Sequence, residues 1–161
     1  MKKGLMIGLM GAMTLVACNQ EKEKVEDQFN YTVEQFADLQ LLRFKVHGFE
    51  ELPLKQKELV YYLSEAALQG RDILFDQNGK YNLIIRKMLE VVYTDYQGDR
   101  SDANFKNFET YLKRVWFSNG IHHHYAADKF VPGFTPEFFK SALESVDASK
   151  LPLMEGETLD A

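Results

Sequence analysis

Three of the four histidines in this 161-residue chain stand side by side, at His122, His123 and His124. They lie within 117–134 (FSNGIHHHYAADKFVPGF), which also carries Asn119, Gly120, Tyr125, Asp128 and Lys129. In an extended segment His122 and His124 would face the same way, as two ligands of one metal ion must. A third ligand would then have to come from Asp128, from the distant His47 or from another part of the protein. On a helix adjacent histidines diverge by about 100°, a poor geometry for a metal. Two further readings stand beside the metal site. The histidines could support a polar loop, with one or two of them buried and hydrogen-bonded. Or they could form one wall of a substrate cleft.

Other chemistry-bearing patterns fall away. Asp76-Gln77-Asn78-Gly79 opens like a calcium loop but lacks the third acidic position and the terminal glutamate, so it reads as a turn. Glu50 and Glu51 are neighbours that would diverge on a helix and read as a solvated face. No Gly-rich phosphate loop, nucleophile elbow or His-Glu-x-x-His motif occurs anywhere in the sequence. No complete catalytic constellation can be assembled from these residues.

The elements that position the histidine segment are mostly helical. From about Tyr31, Phe36, Leu39, Leu42 and Val46 suggest a helix, broken by Gly48 and Pro53. Leu59, Tyr62, Leu63, Ala66, Ala67, Gly70 and Leu74 keep helical spacing, which predicts one continuous helix with Gly70 serving close packing. Asp76 to Gly79 ends it, with Gly79 available for a left-handed turn. Tyr81, Ile84, Ile85, Met88, Leu89, Val92 and Tyr96 form the next stripe. A hairpin turning at Asn78-Gly79 is a rival reading, but the period outlasts strand length. Ser101 or Asp102 can cap a helix carrying Phe105, Phe108, Leu112, Val115 and Trp116. Thr135-Pro136-Glu137 starts another, with Phe138, Phe139, Ala142, Leu143 and Val146 on its apolar face. The tail from Ser149 shows neither period nor cap.

Composition bounds the rest. A formal net charge of -5 argues against a nucleic-acid partner, because phosphate binding draws on Lys and Arg. At the N-terminus, Lys2-Lys3, the apolar run 4–16 and the single cysteine, Cys18, have the layout of a signal peptide. Leu15-Val16-Ala17-Cys18 resembles the bacterial lipobox, in which the cysteine is acylated. This predicts a signal peptide over 1–17, lipidated Cys18 with a charged tether over 18–30, and a folded body over 31–161. The product would be exported and lipid-anchored to a membrane. With Cys18 used for lipid, the body has no thiol for a disulfide or a metal.

Four strings point to a family: 36–44 (FADLQLLRF), 70–82 (GRDILFDQNGKYN), 115–125 (VWFSNGIHHHY) and 128–136 (DKFVPGFTP). In this order they resemble the N-terminal region of bacterial dipeptidyl peptidase III. The resemblance implies a mainly α chain forming the helical N-terminal lobe of a two-lobed zinc exopeptidase that releases dipeptides from short peptides. In that family a His-Glu-x-x-Gly-His motif and a later glutamate hold the zinc. This sequence has no His-Glu pair, so no catalytic residue carries over. The chain is therefore expected to be incomplete and inactive alone, with zinc and the C-terminal catalytic lobe belonging to the complete protein. What carries over is a substrate-binding wall made of Asn119, Gly120, His122, His123, His124 and Tyr125. An isolated lobe is further expected to expose apolar surface. The alternative is a non-catalytic helical lipoprotein that binds peptides or a protein partner through 117–134.

Overall fold

The computed structural model describes residues 29–153, 156 and 158. The expected signal peptide and Cys18 lie outside the described residues, as does most of the tether. The chain divides into two units, Met1–Asn30 and Tyr31–Ala161, and every element named below belongs to the second. That unit is mainly α. Among the described residues two short strands, β1 (Thr32–Phe36) and β2 (Leu39–Leu42), precede five α-helices. These are α1 (Leu54–Gln69), α2 (Arg71–Asn78), α3 (Asn82–Asp95), α4 (Ala103–Ser118) and α5 (Pro136–Glu144).

The core forms around α4. Its positions Phe105, Phe108, Leu112 and Val115 follow the helical period and are buried, against Leu89 and Val92 of α3, Phe75 of α2 and Ala142 of α5. Aromatic rings fill the space between helices. Tyr96 stacks on Phe105 with centroids 5.0 Å apart, and Phe134 meets Phe108 edge-on at 5.6 Å. Each fully buried Phe, Leu or Val of this core contributes about 1.5–3 kcal/mol. The expected caps are in place. Asp102 accepts the Asn104 N–H, and the Thr135 hydroxyl oxygen accepts that of Phe138, with Pro136 opening α5. On α3 the expected stripe faces the core through Ile85, Leu89, Val92 and Tyr96, and departs from expectation at its first position. Asn82, Leu89 and Val92 are buried, whereas Tyr81 is exposed.

Four expectations are corrected. The first segment is an antiparallel hairpin and not a helix, with Phe36 paired to Leu39 across a two-residue turn. Its half-buried residues alternate (Thr32, Glu34 and Phe36, then Leu39 and Leu41), the period of a strand with one face covered. Ala37 takes the left-handed φ of 51° that the turn needs. The long helix expected over 54–76 is two helices, because Gly70 ends α1 and starts α2. A glycine in an exposed helix is its weakest link, and α1 buries no residue that would hold the helix straight through it. Gly79 is extended (φ 167°), so it serves closeness and not a left-handed turn. Finally, the region from Ser149 is not capless throughout. Asp147 caps a 3-10 turn over Ala148–Lys150, and Lys150 reaches Asp95 at 2.6 Å.

The hairpin is held to α4 by charge. Lys113 Nζ lies 2.6 Å from Glu34 and 3.1 Å from Glu109, and Arg114 pairs with Asp38 in the hairpin turn. In contrast, α1 leaves Leu59, Tyr62 and Leu63 exposed.

Candidate functional site

The segment after α4 is a loop braced on three sides. Asn119 caps α4 in the left-handed region (φ 52°). Next, 121–130 folds back on itself: Phe130 N–H donates to Ile121 O, His123 N–H donates to Asp128 O, both at 2.8 Å, and His122 bridges Lys129. The far end is tied to α4, where Asn107 Nδ2 donates to Gly133 O at 2.7 Å. The near end is tied to the α2–α3 turn, where Asn78 Nδ2 donates to Asn119 O at 3.2 Å.

Asn82, the first residue of α3, is the hinge of this arrangement. It is 3% exposed, and its Oδ1 accepts the Ile121 N–H at 3.3 Å. That bond fixes which end of the amide is oxygen. Gly79 and Gly120 close over the amide: a Cβ at Gly79 would stand 2.9 Å from Nδ2, and one at Gly120 would collide with it. Asn82 Nδ2 itself has no partner, nor does the hydroxyl of Ser118, which is 6% exposed. Buried polar groups without partners are uncommon in folded proteins and ask for an explanation.

Both line a pocket of about 400 Å³ together with Asn78, Gly120, His122, His123 and His124. Of the residues expected to form a substrate-binding wall, Gly120 and the three histidines are thus brought together. Asn119 is not with them. It lines a second pocket of about 400 Å³ between the hairpin and α4, beside Glu34, Phe36, Lys113 and Trp116. Tyr125 lines neither; it is 89% exposed and rests its ring on His124, with centroids 4.2 Å apart. The rings of His123 and His124 stack at 4.4 Å, and His123 Nδ1 accepts the Tyr125 N–H at 3.2 Å.

A metal does not fit here. Among the described residues no group of three His, Cys, Asp or Glu side chains could hold an ion. His123 Nδ1 is already engaged, and the described pocket lining includes no carboxylate. The pocket is chemically a small chamber of amide, hydroxyl and imidazole groups. Asn82 and Ser118 were missed in the sequence. Their signal was there: each is a polar residue on the buried stripe of its helix, Ser118 three places after Val115 and Asn82 seven before Leu89.

In the second pocket electrostatics are set by Lys113. Its bond to Glu34 raises its pKa above the ordinary lysine value, with Glu109 adding to the effect and partial burial opposing it. Beyond it, Arg86 holds the Asp72 carboxyl below its usual range, and Lys87 assists.

No protein-family model and no curated protein matches this chain. No helix among the described residues is long and apolar enough to cross a membrane.

Proposed function

We propose that this chain is the helical N-terminal part of a zinc-dependent dipeptidyl peptidase, one that releases dipeptides from the N-terminus of short peptides, and that it is inactive alone. One spatial observation carries the reading. Two of the strings that resemble bacterial dipeptidyl peptidase III, 70–82 and 115–125, are distant in sequence yet share one pocket. They are also tied by two hydrogen bonds, Asn78 to Asn119 and Ile121 to Asn82. Agreement in sequence order joined to convergence in space is what a binding wall requires.

In the complete protein zinc would polarise the scissile carbonyl and activate water. The described residues of this chain offer that ion no ligand set, so no step through zinc is assigned to them. Their part is to bind and orient. Gly120 and the histidines offer the peptide a polar wall, and Asn82, buried behind it, holds the Ile121 N–H and so the loop in place. The apolar face of α1 offers a surface to the catalytic lobe, and acylated Cys18 would attach the whole to a membrane after export. The nucleotides downstream of Ala161 test this reading. A His-Glu-x-x-Gly-His motif in the same reading frame supports it, and a continuation without one overturns it.

A second reading has its own support. Tyr125 and Val131 are exposed on the 117–134 loop, which favours a non-catalytic lipoprotein that binds peptides or a protein partner there. It gains if the chain lacking residues 1–18 is monomeric and unfolds cooperatively.

A further inference from the structure

The hairpin has two faces of different character. The face toward α4 is half-buried: Glu34 meets Lys113 there, and Phe36 and Leu41 line the pocket beside Trp116. The opposite face is polar at the turn end, where Gln35 lies across from Gln40. At the open end it is apolar. Val33 and Leu42 are exposed there, and Phe44 and Val46 continue the two-residue spacing of Leu42 beyond the strand. All four are between 52% and 76% exposed. Pairing runs on to Arg43, whose N–H donates to Tyr31 O at 2.9 Å, so Phe44 starts out beside the point where the 18–30 segment joins the body. No acidic residue occurs over 39–49, although the chain carries a net charge of -5. Arg43, Lys45 and His47 alternate with the apolar side chains instead.

We infer that this patch, Val33, Leu42, Phe44 and Val46 with Arg43 and Lys45 between them, rests on the surface of a lipid bilayer. That a bilayer is within reach rests on the lipid anchor proposed above; that the patch suits one rests on its own composition. Fully extended, the chain from Cys18 to Tyr31 spans at most about 45 Å. An acylated Cys18 therefore keeps the patch beside the membrane and makes its contact intramolecular. A patch too small to hold a free protein on a membrane then suffices as the second of two signals. The mixture of residues favours lipid over a protein partner, because lysine is depleted from the centre of protein interfaces. At a bilayer, Phe44 and Val46 reach the acyl boundary while Arg43 and Lys45 bend their charged ends back to the phosphates. The outer face of the hairpin lies on the membrane and its inner face carries the body, which fixes how the body stands there.

The test uses the full chain as the cell processes it, reconstituted into vesicles of phosphatidylethanolamine and phosphatidylglycerol, with acylation of Cys18 read by mass. Phe44→Trp puts a reporter in the patch. Wild type is the control, since its one tryptophan, Trp116, donates its indole N–H to Glu90 at 2.8 Å. Bromine on the lipid acyl chains should quench the added emission by roughly twofold or more and leave the wild type nearly unchanged. In the Phe44→Trp background, Val46→Asp places a charge at an exposed position outside both strands. The hairpin should persist by hydrogen exchange while quenching falls by roughly twofold or more. The inference is overturned by an added tryptophan that lipid bromine does not quench, by equal quenching of the wild type, or by quenching that Val46→Asp leaves unchanged. An emission shifted to the blue yet unquenched overturns it in favour of a protein cover. Unacylated Cys18 beside a quenched reporter overturns the anchor alone. Acylated Cys18 beside an unquenched reporter overturns the patch alone.

Discussion

The Asn82 Oδ1 accepts the backbone N–H of Ile121 at 3.3 Å, joining the start of α3 to the histidine loop across 39 residues. It is one of several ties between that loop and the body, and Asn82 makes it from a buried position. Replacing Asn82 with Leu would strand the Ile121 N–H away from water and force a branched side chain between Gly79 and Gly120. The expected cost is about 2–4 kcal/mol, measured by chemical denaturation, with the 121–130 amides losing hydrogen-exchange protection first. Unchanged protection there would refute the hinge role.

Gly120 has a second constraint. Its φ of 155° is one that side chains rarely adopt, and any Cβ would strike the Asn82 amide. Gly120→Ala should therefore destabilise by about 1–3 kcal/mol. Gly48→Ala offers the control, since its φ of 84° is strained but the space around it is open. Equal losses at both sites would show that backbone strain alone, and not contact with Asn82, governs Gly120.

The hairpin's charge anchor makes a pH prediction. Lys113 has its pKa raised, first by its bond to Glu34. The folded state thus favours the charged lysine, and the stabilisation is fully present below the ordinary value of 10.5 and lost as pH rises through the higher folded value. Glu34→Gln should cost less than about 1 kcal/mol at neutral pH, because the pair is partly solvated. The gap between wild type and variant should close as lysine deprotonates in alkali. Asp72 behaves oppositely. Arg86 lowers its pKa, so its contribution is present above 3.8 and lost as pH falls through the lower folded value. A Glu34→Gln gap that persisted in strong alkali would exclude the Lys113 pair as its source.

Two apolar surfaces of similar composition should respond differently to mutation. Phe108→Ala opens a cavity in the core and should cost about 3–5 kcal/mol. Leu59→Glu with Leu63→Glu alters a face that α1 leaves exposed, and should leave thermal stability nearly unchanged. The same pair should reduce self-association and binding of an apolar dye. A large loss of stability from the α1 pair would mean that this face is covered within the chain.

Much of the architecture was legible from spacing. Helices α3, α4 and α5 read correctly because packing enforces their period, and Asp102 and Thr135 announced their starts by chemistry. The hairpin was not legible, since Phe36, Leu39 and Leu42 fall three apart and mimic a helix while the strands cover Phe36, Leu39 and Leu41. Its turn, Ala37-Asp38, also lacks the glycine that usually marks one. The break at Gly70 was hidden because α1 packs too little to reveal which face its stripe serves. In the candidate site, the histidines advertised themselves by type. Asn82 and Ser118 did not, because a polar residue on a helical stripe reads as a minor imperfection until burial shows that it has no partner.

The central claim is that this chain supplies a binding wall while hydrolysis needs a further, zinc-bearing lobe. Release of an arylamine from a dipeptidyl arylamide tests it most directly, with the 161-residue chain and the chain extended by its downstream reading frame assayed side by side. The account predicts no release by the chain alone, with or without added zinc, and chelator-sensitive release by the extended protein. Release by the chain alone, abolished by a chelator and restored by zinc, would contradict it.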